Sequence, residues 1–329
     1  MSPAAPGYAA RVSAISLTSI QDAARRLERL VRRTPLLDGG ELSREVGCEV
    51  RLKMESMQRT GSFKFRGASN AVALLPEATT GVATHSSGNH ALALATAARS
   101  RGFACTVVMP VDAAASKRRA VLEAGAGIVD CEPTLQSREA TLARAVAASG
   151  AAVVPPFDHA DVIRGQGTIG LEILEQWPEV DAVVVPVGGG GLIGGIAAAV
   201  KGLKPGMAVI GAEPASVDDA ARSKSSGVRQ PATNARTLAD GLRASLGELT
   251  FPLVREHVDH ILTVEEADIA RWMRFAFERL KLVIEPSAAV GVAAAASGSF
   301  RVLARQAGWR RVVLVVCGGN VDLDRLPWL

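Results

Sequence analysis

"VVVPVGGGGLIGG", residues 183–195, passes from β-branched residues through four glycines into an apolar, helix-compatible run. The glycines let backbone N–H groups approach an oxyanion, and the following helix adds its positive end. The stretch therefore reads as an anion cradle beyond the carboxyl end of a strand, where ligands of open parallel sheets bind. A bare strand-to-helix turn is the competing reading, but a run of glycines costs more chain entropy than a turn requires. A second ligand reading starts at the same place. Gly189, Gly191 and Gly194 form a literal GxGxxG, and Glu213 ends the next strand-like run. That pattern matches a dinucleotide fingerprint and keeps an NAD-dependent dehydrogenase as an alternative.

The same alternation extends outward. Strand candidates are "EVRLKME" (49–55), "GVATH" (81–85), "ACTVVMP" (104–110), "GIVDC" (127–131), "AAVVP" (151–155), "DAVVVPV" (181–187), "MAVIGAE" (207–213) and "RVVLVVC" (311–317). Helix-period runs at 89–101, 114–125, 134–148 and 265–281 separate many of them. Such repetition predicts an α/β fold of parallel-type sheets flanked by helices. Breaks after "LLPE" and at Pro155–Pro156 predict a small domain, 77–154, inserted in a large domain of 1–76 and 155–329. Residues 1–15 read as a loose leader.

Composition narrows the function classes. The chain is 48% hydrophobic and 21% charged but only 4% aromatic, so its core is aliphatic. The net charge of +4 comes from scattered basic residues, as at Arg25–Arg33 and Lys117–Arg119, without interleaved aromatics. Solvated helix faces explain them better than a nucleic-acid footprint does. None of the four cysteines forms a CxxC pair, which argues against a zinc knuckle. No signal-peptide pattern opens the chain and the apolar runs are short, so a cytoplasmic protein without a membrane span is expected.

Three further stretches carry chemistry: "GSFKFRG" (61–67), "HSSGNHA" (85–91) and "VCGGNVD" (316–322). The last two follow strand candidates. Hydroxyls, an amide and free N–H groups at a helix start suit a carboxylate. An N-cap alone is the plainer reading of "SSGN". Lys64 is either a solvated charge or a reactive amine, and an apolar pocket lowers a lysine pKa toward reactivity. Phe63 and Phe65 are candidates to supply that pocket.

Together these motifs resemble the fold-type II pyridoxal 5'-phosphate (PLP) enzymes, tryptophan synthase β-like in fold, and specifically the serine racemase and serine/threonine dehydratase family. The resemblance runs from "RTPLL" (33–37) to "CGGNVDL" (317–323), through "GQGTIGLEI" (165–173), "GAEP" (211–214), "LADG" (238–241) and "IEPSAAVG" (284–291). It favours PLP over a dinucleotide. It implies that Lys64 is the Schiff-base lysine, with Phe63 packed on the cofactor. Gly188, Gly189, Gly190 and Gly191 would bind the phosphate, Asn89 the ring hydroxyl, and Cys317 the pyridine nitrogen. Ser86, Ser87, Asn89 and His90 match residues around the substrate carboxylate and Cα. Phe157 and Ala244 stand where serine racemases carry an asparagine and a serine, which makes the side-chain pocket less polar. Arg164, where relatives usually have alanine, is read as a helix-face residue. Glu213, Asp219 and the Val217 carbonyl match a divalent-cation site, with Mg²⁺, Mn²⁺ or Ca²⁺ as its guest.

The implied reaction is β-elimination, a dehydration and deamination of a β-hydroxy amino acid to a 2-oxo acid and ammonia. Threonine, serine and bulkier analogues such as phenylserine are the expected substrates of this ammonia-lyase reading. Serine racemisation is the same-scaffold alternative, because Ser87 matches a serine that faces the cofactor opposite the lysine. A homodimer without a separate regulatory domain is the family expectation.

Overall fold

The computed structural model describes residues 15–86, 88–233 and 236–329. Residues 1–14 of the expected leader lie outside this range. Among the described residues ten strands form two sheets: β1 Leu36–Asp38, β2 Glu49–Met54, β3 Gly81–Thr84, β4 Ala104–Pro110, β5 Gly127–Cys131, β6 Ala152–Val153, β7 Ala182–Pro186, β8 Ala208–Pro214, β9 His260–Val264 and β10 Arg311–Val316. The six-stranded sheet runs β1-β2-β10-β7-β8-β9 and the four-stranded sheet β5-β4-β3-β6. Only the β1–β2 pairing is antiparallel. Helices make the crossovers that parallel neighbours require. All strands of the second sheet lie between Gly81 and Val153, and the first sheet draws on the stretches either side.

Burial accounts for what the sequence displayed and what it hid. Every residue of β7 and β8 is buried, hence the apolar run of β7 and that of β8 up to Glu213. The strands missing from the sequence reading, β1 and β9, are the two edges of the larger sheet. β1 has only three residues, and β9 buries only Val264, so neither shows a clear period. The expected helix at 265–281 divides into Glu266–Phe275 and a π-helical turn, Ala276–Leu280. Among the described residues no single helix is long and apolar enough to cross a membrane.

Insertion of β10 between β2 and β7 sets the carboxyl ends of these three strands side by side. After β2 the chain turns through Glu55–Met57 and enters the Lys64–Ala73 helix; after β7 it enters the glycine loop and the Gly191–Leu203 helix. The Ala160–Gln176 helix packs between those two helices. A β-carbon at its Gly165 would lie 2.7 Å from the Arg66 carbonyl oxygen and from the Gly67 Cα. One at its Gly167 would lie 2.9 Å from the Gly195 carbonyl oxygen. The backbones meet because no side chain intervenes, which is what "GQGTIG" encodes.

Buried charge locks the same contact. The Arg66 guanidinium donates to Glu55 from Nε at 2.9 Å and Nη2 at 2.8 Å, and to Glu172 from Nη1 at 2.6 Å. Lys53 Nζ donates to Glu172 Oε2 at 2.6 Å, to the Thr34 carbonyl at 2.8 Å and to Gln176 Oε1 at 2.9 Å. Arg66, Lys53 and Glu55 are fully buried. Burial opposes the charge on both Arg66 and Glu172, yet attraction to Glu55 and Glu172 raises Arg66, and attraction to Arg66 and Lys53 lowers Glu172. The two cations and two carboxylates join β2, the turn after it, the lysine helix and the Ala160–Gln176 helix.

Breaking such a cluster from one side strands the remaining charges in the interior, which costs about 3–5 kcal/mol. Arg66→Met is therefore expected to lower the urea unfolding free energy by about that amount. A loss below about 1 kcal/mol would show that the cluster adds nothing beyond exposed ion pairs.

Candidate active site

Lys64 opens its helix as a half-buried residue whose amine is enclosed by protein. Nζ donates to the Pro156 carbonyl oxygen at 2.7 Å and lies 5.1 Å from the centre of the Phe63 ring. Burial, opposed by Cys317 and Glu285, lowers this amine from 10.5 to about 8. A substantial neutral fraction is thus available near neutral pH, as a nucleophile or proton acceptor requires. Phe65 departs from the expectation of two flanking aromatics. It is buried in the core of the four-stranded sheet with Ala68, Val82 and Ala91.

The glycine loop is reached through the next residue. Phe157 lies directly on it: a β-carbon at Gly189 would fall 2.5 Å from the ring, and one at Gly191 3.0 Å from Phe157 Cβ. At Gly188 it would meet Leu242, and at Gly190, where φ is +83°, Leu246 and Thr250. Protein atoms thus occupy the side-chain directions of all four glycines. Gly190 begins the following helix without a side-chain cap, leaving the first-turn N–H groups to an outside acceptor. Thr250 Oγ1 donates to the Gly189 carbonyl at 2.7 Å and fixes the loop. Ala244 is half-buried in the 242–246 segment that flanks this loop.

Cys317 ends the neighbouring strand. Its carbonyl accepts from the Phe63 N–H at 3.0 Å, and a bridge pairs Ser62 with Gly318, tying the lysine turn to β10. The thiol is 2% exposed, and burial raises its pKa well above the usual value, so it is neutral. Across the cleft, after β3, Gly88 begins the Asn89–Ser100 helix with no side-chain cap. Among the described residues Ser86 Oγ accepts from the Gly88 N–H alone, at 3.4 Å, so it does not cap the helix. The first-turn N–H groups thus suit a carboxylate better than a plain N-cap reading does. Ser87 lies outside the described residues. Asn89 Nδ2 donates to both Glu285 carboxylate oxygens, at 2.9 and 3.0 Å, while its Oδ1 accepts from Asn320 Nδ2 at 2.9 Å.

His90 follows in the first turn of this helix. It is 1% exposed, and burial together with the Lys64 charge pushes it down to about 3, so the ring is neutral. Its Nε2 sits 2.9 Å from the Val154 carbonyl, which can only accept, so the proton is on Nε2. Among the described residues Nδ1 is buried without a partner. The His90 ring thus braces the wall and has no donor left, while its backbone N–H belongs to the first helical turn that faces an outside acceptor. Arg164 Nη1 donates to Asp161 at 2.5 Å, one turn away, on the helix face where sequence placed it.

The donor set fits PLP, whose phosphate needs convergent N–H groups and whose aldehyde needs an unprotonated amine. The dinucleotide alternative fits less well. The Glu213 carboxylate is 1% exposed and accepts from the Ala220 and Ala221 N–H groups, each at 3.0 Å, so it is not free for a ribose. Burial raises Glu213 to about 8 and Asp219, whose Oδ2 accepts from the Leu246 N–H at 3.0 Å, to about 6. Two buried acids that repel each other, with lone pairs to spare, are chemically suited to a hard cation. Sequence reasoning did not assign Pro156, Glu285, Asn320 or the Arg66 cluster. Glu285 and Asn320 lay inside quoted motifs, but their roles depend on contacts across the cleft.

The sequence pattern described as "Pyridoxal-phosphate dependent enzyme" matches residues 27–318. The chain is 44% identical over 317 residues to a serine racemase of Arabidopsis thaliana, covering 95% of each chain. The structure of maize serine racemase aligns with a TM-score of 0.92 at 41% identity, covering 94% of each chain. The structure of a T.th. threonine deaminase aligns with a TM-score of 0.87 at 42% identity, covering 94% of this chain and 99% of that one. With a neutralisable lysine placed between these strand ends and the family pattern spanning most of its length, the chain belongs to the fold-type II pyridoxal-phosphate dependent enzymes.

Proposed function

We propose that the protein is a PLP-dependent serine racemase, with β-elimination from serine or threonine as the second reading. One observation carries the assignment to chemistry at Cα: Pro156 holds the Lys64 amine, and its neighbour Phe157 lies on the glycine cradle. Racemisation stands first because serine racemases at 44% and 41% identity are among the relatives. This reverses the order drawn from the residues alone, in which elimination led.

PLP, when bound, supplies a sink for the electron pair left at Cα once its proton is gone. The N–H groups at Gly190–Gly191 grip the phosphate, and those opening the Asn89–Ser100 helix grip the substrate carboxylate. Lys64 Nζ takes the Cα proton on one face. Ser87, next after Ser86 in the sequence, hands a proton to the opposite face and so inverts the centre. Val154 and its neighbours seal the site beneath His90. The neutral Cys317 thiol gives the ring nitrogen no negative partner, which limits delocalisation and favours prompt departure of a β-substituent where one is present.

That last feature supports the second reading, as do Phe157 and Ala244, which leave the side-chain pocket apolar, and the threonine deaminase relative. In elimination the β-hydroxyl leaves as water, and hydrolysis of the remaining enamine yields a 2-oxo acid and ammonia. A panel of L-serine, L-threonine, hydroxyaspartate and phenylserine, assayed for inverted amino acid and for 2-oxo acid, separates the readings. D-serine is expected from L-serine. Ser87→Ala is expected to remove inversion while 2-oxo acid still forms, and Lys64→Ala to lose both by about 100-fold or more. Exclusive 2-oxo acid formation by the unaltered protein would overturn the racemase assignment.

The lysine can be tested without turnover. In PLP-free protein, amine-directed labelling of Lys64, followed by mass spectrometry against pH, is expected to show a midpoint near 8. An exposed lysine would titrate near about 10.4.

We also propose that Glu213, Asp219 and the Val217 carbonyl hold Mg²⁺, Mn²⁺ or Ca²⁺, anchoring the Asp219–Ser226 helix away from the reaction. Saturating Mg²⁺ or Ca²⁺ at about 100 times Kd is expected to add about 2.7 kcal/mol to unfolding stability. Asp219→Asn should abolish that increment; an equal gain in the variant would place the ion elsewhere.

A further inference from the structure

Glu285 is a buried acid that the reaction scheme leaves unused. It precedes the Pro286–Ala295 helix yet makes no side-chain cap to it. Its side chain crosses the cleft instead, and both carboxylate oxygens accept from the Asn89 amide nitrogen, at 2.9 and 3.0 Å. The residue is 5% exposed, and no lysine or arginine ion-pairs with it among the described residues. Burial raises it to about 7, with the Asn89 hydrogen bond opposing.

Two neighbouring details show that the backbone accommodates this carboxylate. A β-carbon at Gly318 would lie 2.5 Å from Glu285 Oε1, so only glycine leaves room beside Cys317. The Glu285 N–H also donates to the Gly318 carbonyl at 3.1 Å. On the far side of Asn89, Asn320 Nδ2 donates both to Asn89 Oδ1 at 2.9 Å and to the Thr60 carbonyl at 2.8 Å. The Thr60 carbonyl can only accept, so it fixes the nitrogen end of Asn320 and, through it, which end of the Asn89 amide is oxygen.

We propose that Glu285 is a positioning residue that orients the Asn89 amide, turning its nitrogen toward the floor shared by Lys64 and Cys317 so that it donates to the ring oxygen of PLP. This rests on the PLP reading of the site. Asn89 has two N–H groups; holding one on Glu285 leaves the other aimed and already ordered, which lowers the entropy lost when the cofactor docks. The clasp also joins a helix of the four-stranded sheet's unit to the loop that follows β10.

The test compares the unaltered protein with Glu285→Gln, Asn89→Ala and the double variant, by PLP titration of the PLP-free proteins and by the absorption spectrum of the loaded ones. Glu285→Gln is expected to weaken PLP binding about tenfold and shift the absorption maximum, with the unfolding midpoint unchanged or higher because a buried charge is removed. If Glu285 acts through Asn89, the double variant binds PLP no more weakly than Asn89→Ala alone. Unchanged PLP affinity and spectrum in Glu285→Gln would overturn the proposal, as would additive losses in the double variant. A lowered unfolding midpoint with unaltered PLP binding would also overturn it, since that is what a purely structural role predicts. If the unaltered protein takes up no PLP and forms no borohydride-fixed adduct at Lys64, the PLP reading itself fails, and this inference with it.

Discussion

The site depends on how closely one helix, Ala160–Gln176, approaches two others. Its Gly165 meets the backbone at Arg66–Gly67, and its Gly167 meets the backbone at Gly195. The first contact sets the helix that begins with Lys64; the second sets the helix that begins with the glycine cradle. Displacing either helix by the thickness of a methyl group would separate the amine from the anion site. The charge cluster of Arg66, Lys53, Glu55 and Glu172 makes the first contact directional as well as close. Such a cluster is costly to desolvate and costlier still to leave half-paired, so it tolerates few alternative arrangements.

The cleft built on this frame is electrostatically quiet. Burial lowers the Lys64 amine toward neutrality, keeps the Cys317 thiol protonated and keeps His90 uncharged. In the proposed function, phosphate binding falls to peptide N–H groups and a helix end rather than to lysine or arginine side chains. The acid nearest this floor, Glu285, is spent on an amide instead of a cation. In such surroundings a proton moved by one amine dominates the local field, which suits chemistry that places and removes charge at a single carbon.

Much of this was legible in the residues. The alternation of strand-like and helix-like runs revealed the parallel sheets, and the strand before the glycines at 183–195 stood out because β7 is fully buried. The edge strands β1 and β9 were illegible for the opposite reason: one is three residues long and the other buries a single side chain. Lys64 and Asn89 were marked by their motifs. His90 was marked too, but only the fold places its ring Nε2 on the Val154 carbonyl. Phe65 likewise looked like a partner of Lys64 until the helix turned it into the other core.

By itself, then, the sequence determined local grammar: which runs are strands, where glycines must stand, and which lysine belongs to a recognisable family pattern. These follow from periodicity and from backbone constraints acting over a few residues. Tertiary structure alone decided that Pro156 holds the amine, that Phe157 covers the cradle, and that Glu285 reaches Asn89. The first of these contacts spans 92 positions of chain and the last 196. Burial and orientation at that range come from how helices and sheets pack, which no short stretch of chain records.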